Sequence, residues 1–377
     1  IHRKAGHPTR PGLRDRRDEL VNEISQYLPV TTVEQPNGAL DVLVGSVPIV
    51  LAGESRGVTL RSEATADGIA VSLRVTADGT TLLPEGGSIG ALFRQRADNV
   101  DPAIDALDTL ANQLIYQVNR IHSQGQGTRG WTSVTGLNRV ADRTANLASD
   151  AARLPFDIRN GSFELHVTNT ATGVRSTVLV SVDPQTMSMD DLAAAISSAM
   201  PAGTGSASVT PDGALKIDAA GGYELSFSGD SSGALAALGV NSFFGGSDAS
   251  DISVNQAIAT DPRLLASGKG HVAGSNAVAL EIAALEDLSI DALGGRSLRG
   301  FWQSSTTDLA VTAQAANTRA ESTRLVRENL EAQSQATSGV SIDEESINML
   351  SYQRQFQAAA RFIATIDETL QTLLSIA

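Results

Sequence analysis

Ser341-Ile342-Asp343-Glu344-Glu345-Ser346-Ile347-Asn348-Met349-Leu350, continuing through Tyr352, Phe356 and Ile363 to Leu373, is the stretch on which the reading of this chain turns. Ser341 followed three residues later by Glu344 is a capping box: the serine hydroxyl accepts from the third helical amide while the glutamate reaches back to the serine's own. Beyond it, Ile342, Glu345, Met349, Tyr352, Phe356, Ala359, Ile363, Ile366, Leu370, Leu373 and Ala377 follow one another in alternating steps of three and four. That spacing predicts a long amphipathic helix with a coiled-coil seam, in which only Glu345 departs from apolar character. Such a helix alone in water has nothing to bury its face against. Burying Met349, Phe356, Ile363, Ile366, Leu370 and Leu373 contributes about 1.5–3 kcal/mol each, whereas ordering the backbone costs ~1–2 kcal/mol per residue. A partner surface therefore decides the balance. We take Met349, Tyr352, Phe356, Ile363, Ile366, Leu370 and Leu373 as the candidate assembly interface, with an intramolecular bundle and an interface between copies both open.

Working outward, a second seam runs through Phe93, Ala97, Val100, Ile104, Leu107, Ala111, Leu114, Val118 and Ile121. Asp101-Pro102 interrupts it, either as a kink or as an N-cap with proline starting a new helix, and the register is expected to survive both. Between about Gly125 and Gly270 the composition shifts to Gly, Ser, Thr, Asp and Ala. Strand-like runs appear at 163–167, 177–182, 207–209, 214–217 and 223–227, with a short helix from Met189 to Met200 behind Ser188. From about Asn276 to Gln335 the chain is again helical, polar and Ala-rich.

At the other end, Leu13, Leu20, Ile24 and Leu28 form a helical stripe closed by Pro29. Small antiparallel strands follow around Val42–Val44 and Ile49–Leu51, and a hairpin from Ile69 to Leu83 turns at Asp78-Gly79. The expected organisation is an irregular tail over 1–12 and a helical domain with β-hairpins over 13–130. An inserted mostly-β domain covers 131–270, a returning helical part 271–337, and a terminal assembly helix 338–377. The fold class is α+β: an elongated molecule whose long coiled-coil-like helices form a stalk.

Composition narrows the function. Among 377 residues, 28 are Lys or Arg and 42 are Asp or Glu, a net charge of −14. A surface so acidic argues against nucleic-acid binding, which draws its affinity from neutralising phosphates. There is no cysteine, so disulfides, thiolate metal sites and cysteine nucleophiles are all excluded. No run approaches the ~20 apolar residues of a membrane span, and the first residues do not form a signal peptide. The chain opens on isoleucine, from which we expect a fragment, a processed chain or a missing start.

Chemistry is not visible. His2, His7, His122, His166 and His271 are scattered, with no pair at a metal-ligand spacing. Gly86-Gly87-Ser88-Ile89-Gly90 lacks the phosphate-loop lysine and reads as a loop-to-helix turn. Asp248 to Asp251 reads as a solvated turn. No catalytic, cofactor-binding or metal residue is assigned, and no enzyme is expected.

Ser338–Leu350 and Tyr352–Ile363 closely resemble the C-terminal helix shared by bacterial flagellar rod, hook and hook-associated proteins. Leu13-Arg14-Asp15-Arg16-Arg17-Asp18-Glu19-Leu20 is similar to a helix of the hook–filament junction family. So are Gly87–Phe93, Leu110–Leu114 and Val118–Gly125 to that family's next long helix. Phe243-Phe244 with 249–254 and 261–266 fits its return from an inserted domain, and the unit between about Leu154 and Phe244 resembles a β module of filament and hook-associated proteins. The family's N-terminal helix has no counterpart, and its Gly-Asp-Asn pattern survives only as Gly274–Leu280.

The resemblance implies a secreted structural subunit of the extracellular flagellum, exported through the flagellar channel. It implies a ring of identical copies joining hook to filament, with the hook protein and other hook-associated proteins as partners and an export chaperone as a further one. Membrane spans and nucleic acid have no place in it. A hook or rod subunit is the alternative within this class. A surface adhesin or glycan-binding module is the alternative from another.

Overall fold

The computed structural model describes residues 10–65, 68–338 and 342–376. The chain divides into two units, Ile1–Leu309 and Ala310–Ala377.

The first unit begins with α1 (Arg10–Tyr27), which starts inside the stretch expected as tail; Pro11 suits a first turn, where its missing N–H has no partner to lose. β1 (Val30–Glu34), β2 (Leu40–Val44), β3 (Val47–Leu51) and β4 (Glu54–Ser55) form an antiparallel meander in that order. β5 (Val58–Thr65), β6 (Gly68–Val75) and β7 (Thr81–Leu82) form a second one. Leu28, Val42, Val44, Ile49, Leu73, Val75 and Leu82 make their common core, closed by Val21 and Ile24 of α1 and by Ile89 and Phe93 of α2 (Gly87–Gln95). The glycine run at the start of α2 is the expected loop-to-helix turn, with Gly86 as N-cap. Gly87 sits at φ +68°, and a Cβ there would lie 2.4 Å from the Tyr27 carbonyl oxygen. The run thus serves close packing of α2 on the end of α1.

α3 (Asp101–His122) follows α2 through a π-helical segment, Arg96–Val100. Pro102 explains it: without an N–H, and with its ring against the carbonyl four residues back, proline forces a wider turn there. The long seam is accordingly not used as one. Val100, Ile104 and Leu107 are exposed, while Leu114, Val118 and Ile121 pack with Val278, Ile282 and Leu285.

The β domain holds two three-stranded antiparallel sheets. One is β10 (Arg175–Val182), β9 (Gly161–Asn169) and β13 (Tyr223–Ser228); the other is β11 (Gly205–Val209), β12 (Ala214–Ala219) and β8 (Ser133–Arg139). α4 (Met189–Ala199) is capped by a reciprocal pair, Asp191 N donating to Ser188 Oγ and Ser188 N donating to Asp191 Oδ2. Phe163, Leu165, Leu225, Phe227, Met189 and Ile196 fill the core, together with α5 (Ala234–Ala237) and with Ile115 of α3. That last residue keys the helix into the domain.

Two asparagines fasten the return of the chain onto α3. Asn119 accepts from the amides of Phe243 and Phe244 and donates to the Phe244 carbonyl, at 2.8–2.9 Å. Asn241, at φ +50°, donates to the carbonyls of Ser123 and Gly125 just beyond the end of α3 and accepts from the Trp131 indole at 2.8 Å.

The chain then passes through β14 (Phe244–Gly245), β15 (Ser253–Val254) and α6 (Gln256–Thr260) to α7 (Ala277–Ala284). The stretch expected to be helical from about Asn276 to Gln335 is helical in two pieces. A 3-10 turn at Asp291–Leu293 and a bridge between Ile290 and Arg296 separate α7 from α8 (Leu298–Ser338). Gly294 and Gly295, both at positive φ (66° and 75°), make the reversal that a helix cannot accommodate.

The second unit comprises the rest of α8 from Ala310 and α9 (Ile342–Ile376). Ser341, the expected cap of α9, lies outside the described residues.

Candidate assembly surface

α9 is the predicted amphipathic helix. Its sequence has no Gly or Pro between Ile342 and Ile376, and the apolar steps of three and four return to one face every two turns. The described side chains of that face are exposed. Met349, Tyr352, Phe356, Ile363, Ile366 and Leu370 are between 43 % (Ile366) and 77 % (Phe356) exposed. The side chain of Leu373 lies outside the described residues. Ile347, Leu350 and Phe362 are equally open to solvent, so the apolar surface is broader than the single seam. Their mutual spacing of three, then twelve, does not continue a heptad, which is why periodicity alone passed over them.

The magnitude matters. Covering the six candidate residues would contribute on the order of 10 kcal/mol gross. That is the scale of the ~4–15 kcal/mol lost when two molecules associate. One such face is marginal against one partner and sufficient when several neighbours share it.

α8 from Ala310 has different chemistry. Arg324 bridges Glu321 and Glu328, both at 2.6 Å, and Arg327 approaches Glu331 at 3.4 Å. Exposed pairs of this kind add about 0.3–0.5 kcal/mol each to a solvated helix. Val311, Leu325, Val326 and Leu330 are exposed between them.

The carboxylates of Asp248 and Asp251 are occupied by the amides of Ser250, Ser247 and Asp248, as in a tight turn. Among the described residues no group of three or more His, Asp and Glu is placed to hold a metal ion, and no helix is long and apolar enough to cross a membrane. His122 is fully buried. It accepts from the Ala266 amide at Nε2 (3.0 Å), so its proton sits on Nδ1 and is donated to the Asn241 carbonyl (2.7 Å). Burial holds its pKa below the ordinary value.

His166 and His271, apparently scattered in sequence, come together with ring centroids 4.8 Å apart. Ser228 gives its hydroxyl proton to Glu164 and so accepts from His166 Nε2 (2.7 Å), while Thr177 donates to His166 Nδ1 (2.8 Å). Strand pairing brings Thr177 of β10 and Ser228 of β13 beside His166 of β9, and the loop carrying His271 returns onto Ser226 of β13, neither of which spacing along the chain can show. His2 and His7 lie outside the described residues.

Residues 1–136 match the family model of the flagellar hook-associated protein FlgK helical domain. Residues 331–376, which include all of α9, match that of the flagellar basal body rod FlgEFG protein C-terminal. Flagellar hook-associated protein 1 of Escherichia coli (strain K12) is 25 % identical over 381 residues, covering 97 % of this chain and 64 % of that protein. The chain thus spans less than two thirds of that relative's length. The solved flagellar hook junction protein FlgK from Burkholderia pseudomallei shares 20 % identity, with 68 % of this chain and 45 % of that one covered, at a TM-score of 0.31 that carries no argument. Over residues 1–136 the chain is thus similar to the helical domain of flagellar hook-associated protein FlgK, and over nearly its whole length to flagellar hook-associated protein 1.

Proposed function

We propose that the chain is a structural subunit of the bacterial flagellum that joins hook to filament. In this reading α9 pairs with neighbouring copies as a coiled coil, the long helices form a stalk within a ring of identical subunits, and the β domain over 131–270 is carried on it. The subunit is secreted through the flagellar channel and works outside the cell. Its partners are the hook protein and other hook-associated proteins, with an export chaperone before secretion. No catalysis is required of it.

The observation that carries this reading is the uncovered apolar face from Met349 to Leu370, on a segment matching the rod-protein C-terminal family. That segment match also favours a hook or rod subunit, and the FlgK helical-domain match over 1–136 supports the junction reading over it.

Ile366→Asp in the producing cell's own gene is the test. It places a charge in the seam, where burial without a partner is costly, at a side chain 43 % exposed in the free chain. The variant is expected to be secreted and folded yet absent from the hook tip by immunolabelling. Normal incorporation would overturn the reading.

A further inference from the structure

Away from α9, a cavity of about 160 Å³ opens in the β domain, lined by residues 125–131 together with Thr168, Arg175, Glu224, Ser226 and His271. Its charges are unbalanced. Glu224 is already engaged by Arg129 (3.5 Å) and by the Gly130 amide (3.0 Å). Arg175 donates Nε to Thr168 Oγ1 at 3.2 Å, and no carboxylate pairs with it among the described residues. Both of its terminal amino groups are left as a fork suited to oxyanions.

His271 sits on a loop held to the 125–131 segment by Gln126 N donating to the Gly268 carbonyl (2.8 Å) and by His271 N donating to Gln126 Oε1 (3.1 Å). Its Nε2 is bonded to Ser226 Oγ at 2.9 Å, and its Nδ1 has no bond among the described residues. His166 lies in edge contact behind it, with Glu164 Oε2 3.7 Å from His166 Nε2. Lys269 on the same loop is paired with Glu281. Two histidines and an arginine therefore converge where the nearby carboxylates are otherwise engaged.

We propose that this cavity binds a small tetrahedral oxyanion, sulfate or phosphate as the free ion, on the Arg175 fork and the Nδ1–H of protonated His271. The volume admits such an ion together with several water molecules. Without it, burial first, then the charge of Arg175 and the neighbouring His166, hold His271 down at about 4. A bound dianion reverses the electrostatic part of that balance, so anion and proton bind together.

The test is a titration of the histidine ring protons of the full chain by NMR in sodium sulfate and in sodium chloride of equal ionic strength, with His271→Gln assigning the resonance. In sulfate the His271 midpoint is expected to rise by about one pH unit or more, saturating with concentration. Arg175→Gln, on an exposed strand position, is expected to abolish the rise while leaving the circular dichroism spectrum unchanged. Identical midpoints in the two salts, or a sulfate effect that survives Arg175→Gln, would overturn the proposal. Should Arg175→Gln not fold, sulfate affinity of the unaltered chain is measured at pH 5 and pH 8. Tighter binding at pH 5 supports the site, and equal or absent binding refutes it.

Discussion

Asn241→Ala should destabilise the first unit by about 3–6 kcal/mol, out of proportion to the few atoms removed. The Trp131 indole N–H, in a side chain 7 % exposed, loses its only acceptor among the described residues, and a buried donor left unpaired costs about 1–3 kcal/mol. The Ser123 and Gly125 carbonyls lose donors at 2.9 and 3.1 Å, together another ~1–2 kcal/mol. Alanine at φ +50° adds about 1 kcal/mol, because its Cβ crowds the carbonyl in the left-handed region that asparagine tolerates. Chemical denaturation followed by circular dichroism measures the sum. Two companions separate the parts. Asn241→Gly relieves the backbone and should recover about 1 kcal/mol relative to alanine. In a Trp131→Phe background no indole donor is orphaned, so Asn241→Ala should cost ~1–2 kcal/mol less than in the parent. A loss below about 1 kcal/mol for Asn241→Ala, or the same loss in both backgrounds, would refute the claim that this residue joins α3 to the β domain.

Other outcomes follow from the same structure. His122, His166 and His271 all have pKa values depressed below 6.5, so the unfolded chain takes up their protons first; stability is full above about 6.5 and falls as pH drops toward the value of about 4 for His271. Denaturation midpoints at pH 7.5 and 5.0 check this, and a flat profile would contradict it; Asp212 and Asp261, at about 2, titrate below the window. Gly87→Ala should cost about 2–4 kcal/mol, from a left-handed alanine and a Cβ forced onto the Tyr27 carbonyl, seen as faster amide exchange in α1 and α2. Phe356→Ser, at a side chain 77 % exposed, should leave the stability of the free chain within about 0.5 kcal/mol of the parent while weakening co-assembly with unaltered subunits in a pelleting assay.

Where burial follows a simple period, the sequence reads directly into structure. β9, β10, β12 and β13 alternate or run apolar against one core, and α4 announces itself through Ser188 and Asp191, so these elements stood where the pattern put them. β5 was invisible because it is held by backbone pairing to β6 and shows no buried side. β8 was hidden by Gly136 and Asn138, residues with poor strand propensity. The seam from Phe93 to Ile121 was legible as a helix, but periodicity could not show that Pro102 would open a π turn or that only the last third would be buried. On α9, the residues of the exposed face were legible and what covers them was not, because a stripe that seeks a partner looks the same whether the partner is the same chain or another. The meeting of His166 with His271 depends on strand register and a loop return, which have no local signature.

The central claim is that the ridge from Met349 to Leu370 is covered by other subunits. Amide hydrogen exchange along this segment, measured on the free chain and again after incorporation into hook-tip assemblies, addresses it most directly. The account predicts rapid exchange in the free chain and exchange slowed by orders of magnitude once assembled. Strong protection in the isolated monomer, or exchange unchanged by assembly, would contradict it.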